Sequence, residues 1–267
     1  MKQLKRGIIA LLSLYLLIMG ILHLFQEKLI FLPEPIASNY VYTFPFNFEE
    51  VNLTTSDNET INALHIKAEN PKGIILYFHG NQGNLIRWGE ITSYFLQYDY
   101  DVFVIDYRGY GKSTGVFNEY RMYEDALLSY EHVKKQFKEE DIIVYGRSLG
   151  TTFAAKVASE NSPKHLILEA PFYSLHQAAN HKYKVIPKFF LNFKFKTYQF
   201  ISKIKSPITI FHGNQDKITP FEGSKALFEL ITSLKKEFIP LEKGTHHNVR
   251  SYEVYQNKIK NIVTKVN

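Results

Sequence analysis

From Val51 onward the chain alternates short, unbroken apolar runs with longer amphipathic stretches. The runs GIILYF (73–78), YDVFVI (100–105), DIIVY (141–145), HLILEA (165–170), PITIFH (207–212) and KEFIPL (236–241) have the length of strands and no polar face. That pattern predicts strands covered on both sides, as in a parallel sheet. Ahead of them, VNLTT and TINALHIKA are joined by the turn residues SDNE (56–59), which predicts a hairpin. Between the runs the period changes to that of a helix. In 119–137, for example, Ala126, Tyr130, Val133 and Phe137 fall on one face. The alternation predicts an α/β fold of about eight strands, mostly parallel and flanked by helices.

The N-terminus follows another pattern. Residues 7–25 read GIIALLSLYLLIMGILHLF, without a fixed charge. Nineteen residues is close to the roughly 20 that a helix needs to cross a bilayer. A cleaved signal peptide would have a shorter apolar core and a small-x-small site, so a retained anchor is the preferred reading, with a cleaved signal and a buried core helix as the alternatives. Lys2, Lys5 and Arg6 precede the run, while Glu27, Lys28 and Glu34 follow it. The positive-inside rule then keeps the N-terminus cytoplasmic and the body of the chain on the extracytoplasmic side. The expected organisation is an anchor with a short basic tail over 1–27, a linker over 28–47 and one catalytic-sized domain over 48–267.

Composition narrows the function classes. The chain has 267 residues, 45% apolar and 15% aromatic, which excludes a disordered chain, and no cysteine, which excludes a disulfide scaffold. The net charge of +6 is unevenly spread. Three positive charges lie ahead of the apolar run, and seven lysines with no acid lie within 170–215. A nucleic-acid binder carries its basic residues across a whole working face, so nucleic acid is not an expected partner.

The chemistry centres on Gly146-Arg147-Ser148-Leu149-Gly150, which follows the run DIIVY and precedes the helical pattern TTFAAKVA. G-x-S-x-G between a strand and a helix predicts a tight turn that exposes the serine hydroxyl, with glycines where side chains would strike the neighbouring strand and helix. A serine capping a helix is the alternative. YGRSLG, preceded by YFHGNQGN (77–84) and DYRGYGKSTG (106–115) and followed by FHGNQDKITP (211–220), resembles the α/β-hydrolase superfamily. More narrowly it is similar to membrane-anchored, serine-aminopeptidase-like members of it. QEKLIFLPEP (26–35) also resembles their entry sequence, so the likeness runs through nearly the whole chain in order.

The resemblance implies an α/β-hydrolase fold, a triad in the order Ser, acid, His, and no dissociable cofactor. Ser148 is then the nucleophile and Asp216 the acid, with Glu169 in reserve. KGTHHN (243–248) offers two adjacent histidines for the base. The family pattern of a small-residue loop followed by His-Asn selects His247, leaving His246 in reserve, although Val249 stands where relatives often have Asp. The oxyanion donors implied are the backbone amides of Asn81 and Leu149, with His79 shaping their loop. HGNQGN lacks phosphate-loop spacing, GYGKS (109–113) reads as a structural loop, and no metal-ligand spacing is evident.

The superfamily usually inserts a cap between two late strands, here at about 172–202. Within it, 181–200 interleaves Lys182, Lys184, Lys188, Lys194 and Lys196 with seven aromatics. Such a segment either leans on a bilayer, with rings inserted and lysines at anionic headgroups, or packs its rings on the sheet with the lysines solvated. The expectation is a membrane-anchored serine hydrolase acting on esters or thioesters of small or lipid-like acyl groups. A peptidase, a non-catalytic tethered binding module on the same fold, and a scaffold docking through 181–200 are the rivals.

Overall fold

The computed structural model describes residues 2–183, 187 and 190–264. Helix α1 (Lys2–Ile30) is long and apolar enough to cross a membrane, and only 6% of its most apolar window is buried. It ends three residues beyond the expected anchor. The following residues lie along the domain edge: Leu32–Pro33 pairs in parallel with Gln82–Gly83, Pro35 bridges Gly111, and Phe31 and Tyr42 are buried.

The domain is built on eight strands: β1 (Phe48–Thr54), β2 (Thr60–Ile66), β3 (Gly73–Phe78), β4 (Tyr100–Ile105), β5 (Ile142–Arg147), β6 (His165–Glu169), β7 (Ile208–Gly213) and β8 (Lys236–Leu241). They form one sheet in the order β8-β7-β6-β5-β3-β4-β2-β1. The β1–β2 and β2–β4 pairs are antiparallel and the others parallel. Every residue of β3, β4, β5 and β7 is buried, which is why their runs carry no polar face. The β1–β2 turn puts Asn58 at φ 61°, a conformation in which asparagine is favoured among non-glycine residues.

Two cores form, one on each face. Ile74, Leu76 and Phe78 of β3 join the core that packs against α3 (Glu119–Lys134), α4 (Gly150–Glu160) and α7 (Phe221–Leu230). Ile75 and Tyr77 point the other way, into the core with α2 (Leu85–Thr92) and α8 (Glu253–Thr264). Period-two alternation along a strand and period-3.6 stripes on the helices therefore meet in each core. Ala126, Tyr130 and Val133 are buried as their spacing predicts, and Phe137 packs from just beyond the end of α3.

The chain leaves the sheet between β6 and β7 to form α5 (Leu175–Tyr183) and α6 (Tyr198–Ile201). Lys184 and Lys188 of the expected basic cap lie outside the described residues, as does the side chain of Lys182. The rings of Phe193 and Phe195 turn inward, 4.9 and 6.1 Å from the ring of Phe31, so these two pack on the domain and not on a bilayer.

Candidate active site

All the parallel strands point their C-terminal ends to one edge, and β5, β6 and β7 deliver their loops there. At the end of β5 the backbone turns into α4 through Ser148, which sits at φ 50°, a strained conformation for a side-chain-bearing residue. The turn is held by Ser148 N donating to the Glu169 carbonyl (2.9 Å) and by Thr151 N and Oγ1 donating to the Ser148 carbonyl (3.0 and 2.6 Å). The crossing is close: a Cβ on Gly146 would stand 2.6 Å from the Gly150 carbonyl oxygen.

His246 reaches Ser148 from the loop after β8. Its Nε2 is 3.0 Å from Ser148 Oγ and its Nδ1 is 2.7 Å from Asp216 Oδ2. Because an ionised Asp216 can only accept, Nδ1 carries the proton and Nε2 is left to accept from the serine hydroxyl. The expectation that His247 meets the serine is corrected by this geometry. The loop is fixed by Asn248 Oδ1, which accepts from Thr245 N (2.7 Å), and by Gly244, which packs on Gly213. In that turn His246 is buried between Ser148 and Asp216, while His247, its ring 88° from that of His246, is exposed and lines the cavity.

Asp216 is buried and heavily coordinated. Oδ1 accepts from the amides of Ile218 (2.7 Å) and Thr219 (2.9 Å), while Oδ2 accepts from His246 and from Thr219 Oγ1 (2.8 Å), with His212 Nε2 at 3.2 Å. Burial alone would raise its pKa, but the hydrogen bonds from His212 and His246, with their charges, hold it far below the usual carboxylate range. His212 and Thr219 escaped the sequence reading, since a histidine inside a strand run and a turn threonine carry no distinguishing pattern. The depressed pKa of Asp216 has a direct consequence. Its stabilising contribution is full above the unfolded value of about 3.9 and is lost as pH falls through the lower folded value. Thermal melts of wild type and Asp216→Asn should therefore show a wild-type advantage at pH 5 that narrows as pH falls below about 4. A gap that widens below about pH 4 would contradict that linkage.

Glu169, the reserve acid, faces away from His246: Arg147 Nε pairs with its Oε1 at 2.9 Å and Tyr145 Oη donates to Oε2 at 2.6 Å. Arg147 also donates from Nη2 to the His246 carbonyl (3.2 Å) and lies over Trp88, bracing the histidine loop. Asn81 and Leu149 line the same pocket as Ser148. His79 Nδ1 contacts the Gly80 carbonyl at 2.6 Å. Carbonyl and amide oppose each other across a trans peptide, so that bond sets the direction of the Asn81 N–H. Arg108, in the DYRGYGKS loop, pairs with Asp57 and Asp125 and is structural. Among the described residues no group of three or more His, Asp or Glu side chains could hold a metal ion.

Ser148 and His246 open into a cavity of about 430 Å³. Its lining is mostly apolar: Leu29, Leu32, Phe172, Leu175 and Ile218 among others.

Residues 69–200 match the serine aminopeptidase S33 family profile. Protein bem46 of Schizosaccharomyces pombe is 30% identical over 263 residues, covering 92% of this chain and 88% of that protein. The chain belongs to the α/β-hydrolase superfamily. A further superfamily relative, lysophosphatidylserine lipase ABHD12 of Macaca fascicularis, is 30% identical over 196 residues, 62% of this chain and 49% of that protein. Esterase Pf2001 of Pyrococcus furiosus superposes with a TM-score of 0.70 over 88% of this chain and 95% of that one, at 20% identity, a likeness of fold.

Proposed function

We propose that the protein is a membrane-anchored serine hydrolase that cleaves carboxylic ester or thioester bonds of lipid-like acyl substrates. The observation that carries this reading is the unbroken hydrogen-bond chain from Ser148 Oγ through His246 to Asp216, opening into a mostly apolar cavity. Ser148 Oγ attacks the acyl carbonyl as its proton passes to His246 Nε2, and Asp216 stabilises the resulting imidazolium while staying ionised. The amides of Asn81 and Leu149 take the charge of the tetrahedral oxyanion, each such donor being worth about 100- to 1,000-fold in turnover in other enzymes. The intermediate collapses, His246 returns its proton to the leaving alcohol or thiol, and an acyl-Ser148 ester remains. Water then attacks that ester with His246 again taking the proton, releasing the acid and restoring the serine.

The apolar lining favours an acyl chain over a peptide, whose backbone amides would need partners throughout the pocket. Lys2, Lys5 and Arg6 ahead of the apolar run favour a cytoplasmic N-terminus and a catalytic domain on the other side of the membrane. Labelling of the detergent-solubilised protein by a fluorophosphonate probe tests the proposal. Wild type is expected to label and Ser148→Ala to lose all labelling. Equal labelling of the two would remove Ser148 from the mechanism.

A further inference from the structure

We propose that the last third of α1 is a wall of the acyl-binding site, so that the membrane helix itself receives one acyl chain of a lipid ester from the bilayer and guides it to Ser148. This deepens the hydrolase reading and rests on it for the position of the reacting carbonyl.

A helix that served only as an anchor would have no preferred face toward the domain. Within 7–25, however, Met19 is 3% exposed and Leu22 partly covered, while every other residue is exposed. The covered positions continue past the run as Gln26, 4% exposed, and Ile30. Spacings of three and four make this one helical stripe, about 16 Å long at 1.5 Å per residue. Met19, Leu22, Gln26, Leu29 and Ile30 all line the cavity that contains Ser148 and His246.

The helix is pinned in that position by polar contacts. Gln26 Oε1 accepts from Asn192 N (2.7 Å) and its Nε2 donates to the His23 carbonyl (2.8 Å). Asn81 Nδ2 donates to the Ile30 carbonyl (2.9 Å), which ties the end of the helix to the loop beside Ser148. With its amide satisfied in this way, Gln26 adds little polarity to the groove, and the surface facing the cavity is aliphatic.

Leu175 and the small residues Ala178 and Ala179 of α5 line the same cavity, together with Phe190 and Leu191. Met19 and Leu22 belong to the same charge-free segment that is long enough to cross the hydrocarbon layer. A bilayer that covers this segment therefore reaches the α1 wall of the groove. A lipid tail can slide from the hydrocarbon between α1 and α5 without crossing water, and its ester arrives where Ser148, His246 and Asn81 supply the polar end.

The full-length protein in detergent micelles provides the test, with p-nitrophenyl laurate and p-nitrophenyl butyrate as substrates. Leu22→Trp fills the groove, and Leu24→Trp places the same bulk on the 77% exposed side of the helix. The laurate-to-butyrate ratio of kcat/KM should fall about tenfold or more in Leu22→Trp, because hydrophobic pockets discriminate by about that factor per methylene. In Leu24→Trp the ratio should stay at the wild-type value. An unchanged ratio in Leu22→Trp, or an equal fall in Leu24→Trp, would overturn the proposal. Should Leu22→Trp not fold, Met19→Ala removes part of the apolar wall and must lower the ratio; no fall overturns the idea equally.

If the wild type hydrolyses neither ester, the hydrolase reading fails and the groove is judged by binding alone. Fluorescence of 12-(9-anthroyloxy)stearate should then report wild-type binding that weakens about tenfold or more in Leu22→Trp. Equal binding by the two proteins would sink the groove as well.

Discussion

Replacing His246 with alanine is expected to lower kcat/KM on a short-chain ester by about four to six powers of ten, while His247→Ala retains activity to within about tenfold. His246 Nε2 lies 3.0 Å from Ser148 Oγ, so its loss leaves the serine hydroxyl without a base and the leaving group without an acid. The His246→Ala protein should also leave Asp216 ionised in its nest of amide and hydroxyl donors, so no group moves in to substitute. His247 touches neither partner and lines the cavity from an exposed position, where it can contribute at most one ordinary substrate contact, about 1.4 kcal/mol for a tenfold effect. Steady-state kinetics together with fluorophosphonate labelling of both variants decide the matter. A dead His247→Ala beside an active His246→Ala would mean that the loop rearranges on binding substrate and that the geometry described above is not the working one.

This pair of histidines marks where the sequence stops being readable. Strand positions were legible because burial on both faces demands unbroken apolar runs, as in GIILYF and YDVFVI, and these segments occupy the centre of the sheet. The tight turn at Ser148 was legible because it is local: the glycines two residues away on either side announce the crossing. The direction of a histidine side chain in a loop is not local. It depends on Gly244 meeting Gly213, some thirty residues away in the chain, and on Asn248 capping Thr245. A motif that ends in His-Asn cannot distinguish one of two adjacent histidines from the other when a single residue of loop geometry exchanges their directions.

The N-terminal helix shows the same limit in another form. Hydropathy identifies 7–25 as a spanning candidate because the segment is apolar all round, and for that reason it cannot reveal a preferred face. The stripe of Met19, Leu22 and Gln26 becomes visible only when the partner surface is present. Gln26 stands just past the apolar run, where a polar residue reads as the start of a linker. Its amide instead bonds backbone 166 residues away in the chain. The shell around Asp216 was equally hidden, because His212 and Thr219 acquire meaning only through their distance to a carboxylate.

The glycines of the elbow carry the second large effect, and here the expectation is one of stability. A methyl group on Gly150 would stand 1.9 Å from the Phe78 carbonyl oxygen, 2.4 Å from the Phe78 carbonyl carbon and 2.8 Å from the His79 carbonyl oxygen. All three are backbone atoms at the end of β3, between β4 and β5 in the middle of the sheet, so no side-chain rotation relieves the clash. Either α4 must retreat or β3 must shift, and either movement opens the contact that brings Leu149 and the Asn81 loop to the same cavity. Gly150→Ala should therefore cost about 3 kcal/mol or more, a fall in Tm of about 10 °C for a domain of this size, with loss of fluorophosphonate labelling. Gly20→Ala is the matched control. Its added methyl meets nothing within 4 Å, and alanine is the better helix former, so its Tm should equal or exceed that of wild type. Thermal melts in one detergent compare the two, and a Gly150→Ala protein that melts within about 2 °C of wild type would show that the elbow yields to a side chain. The same result would detach the strain at Ser148 from the close crossing beneath it, since a turn with room for a methyl group does not need its serine held at φ 50°.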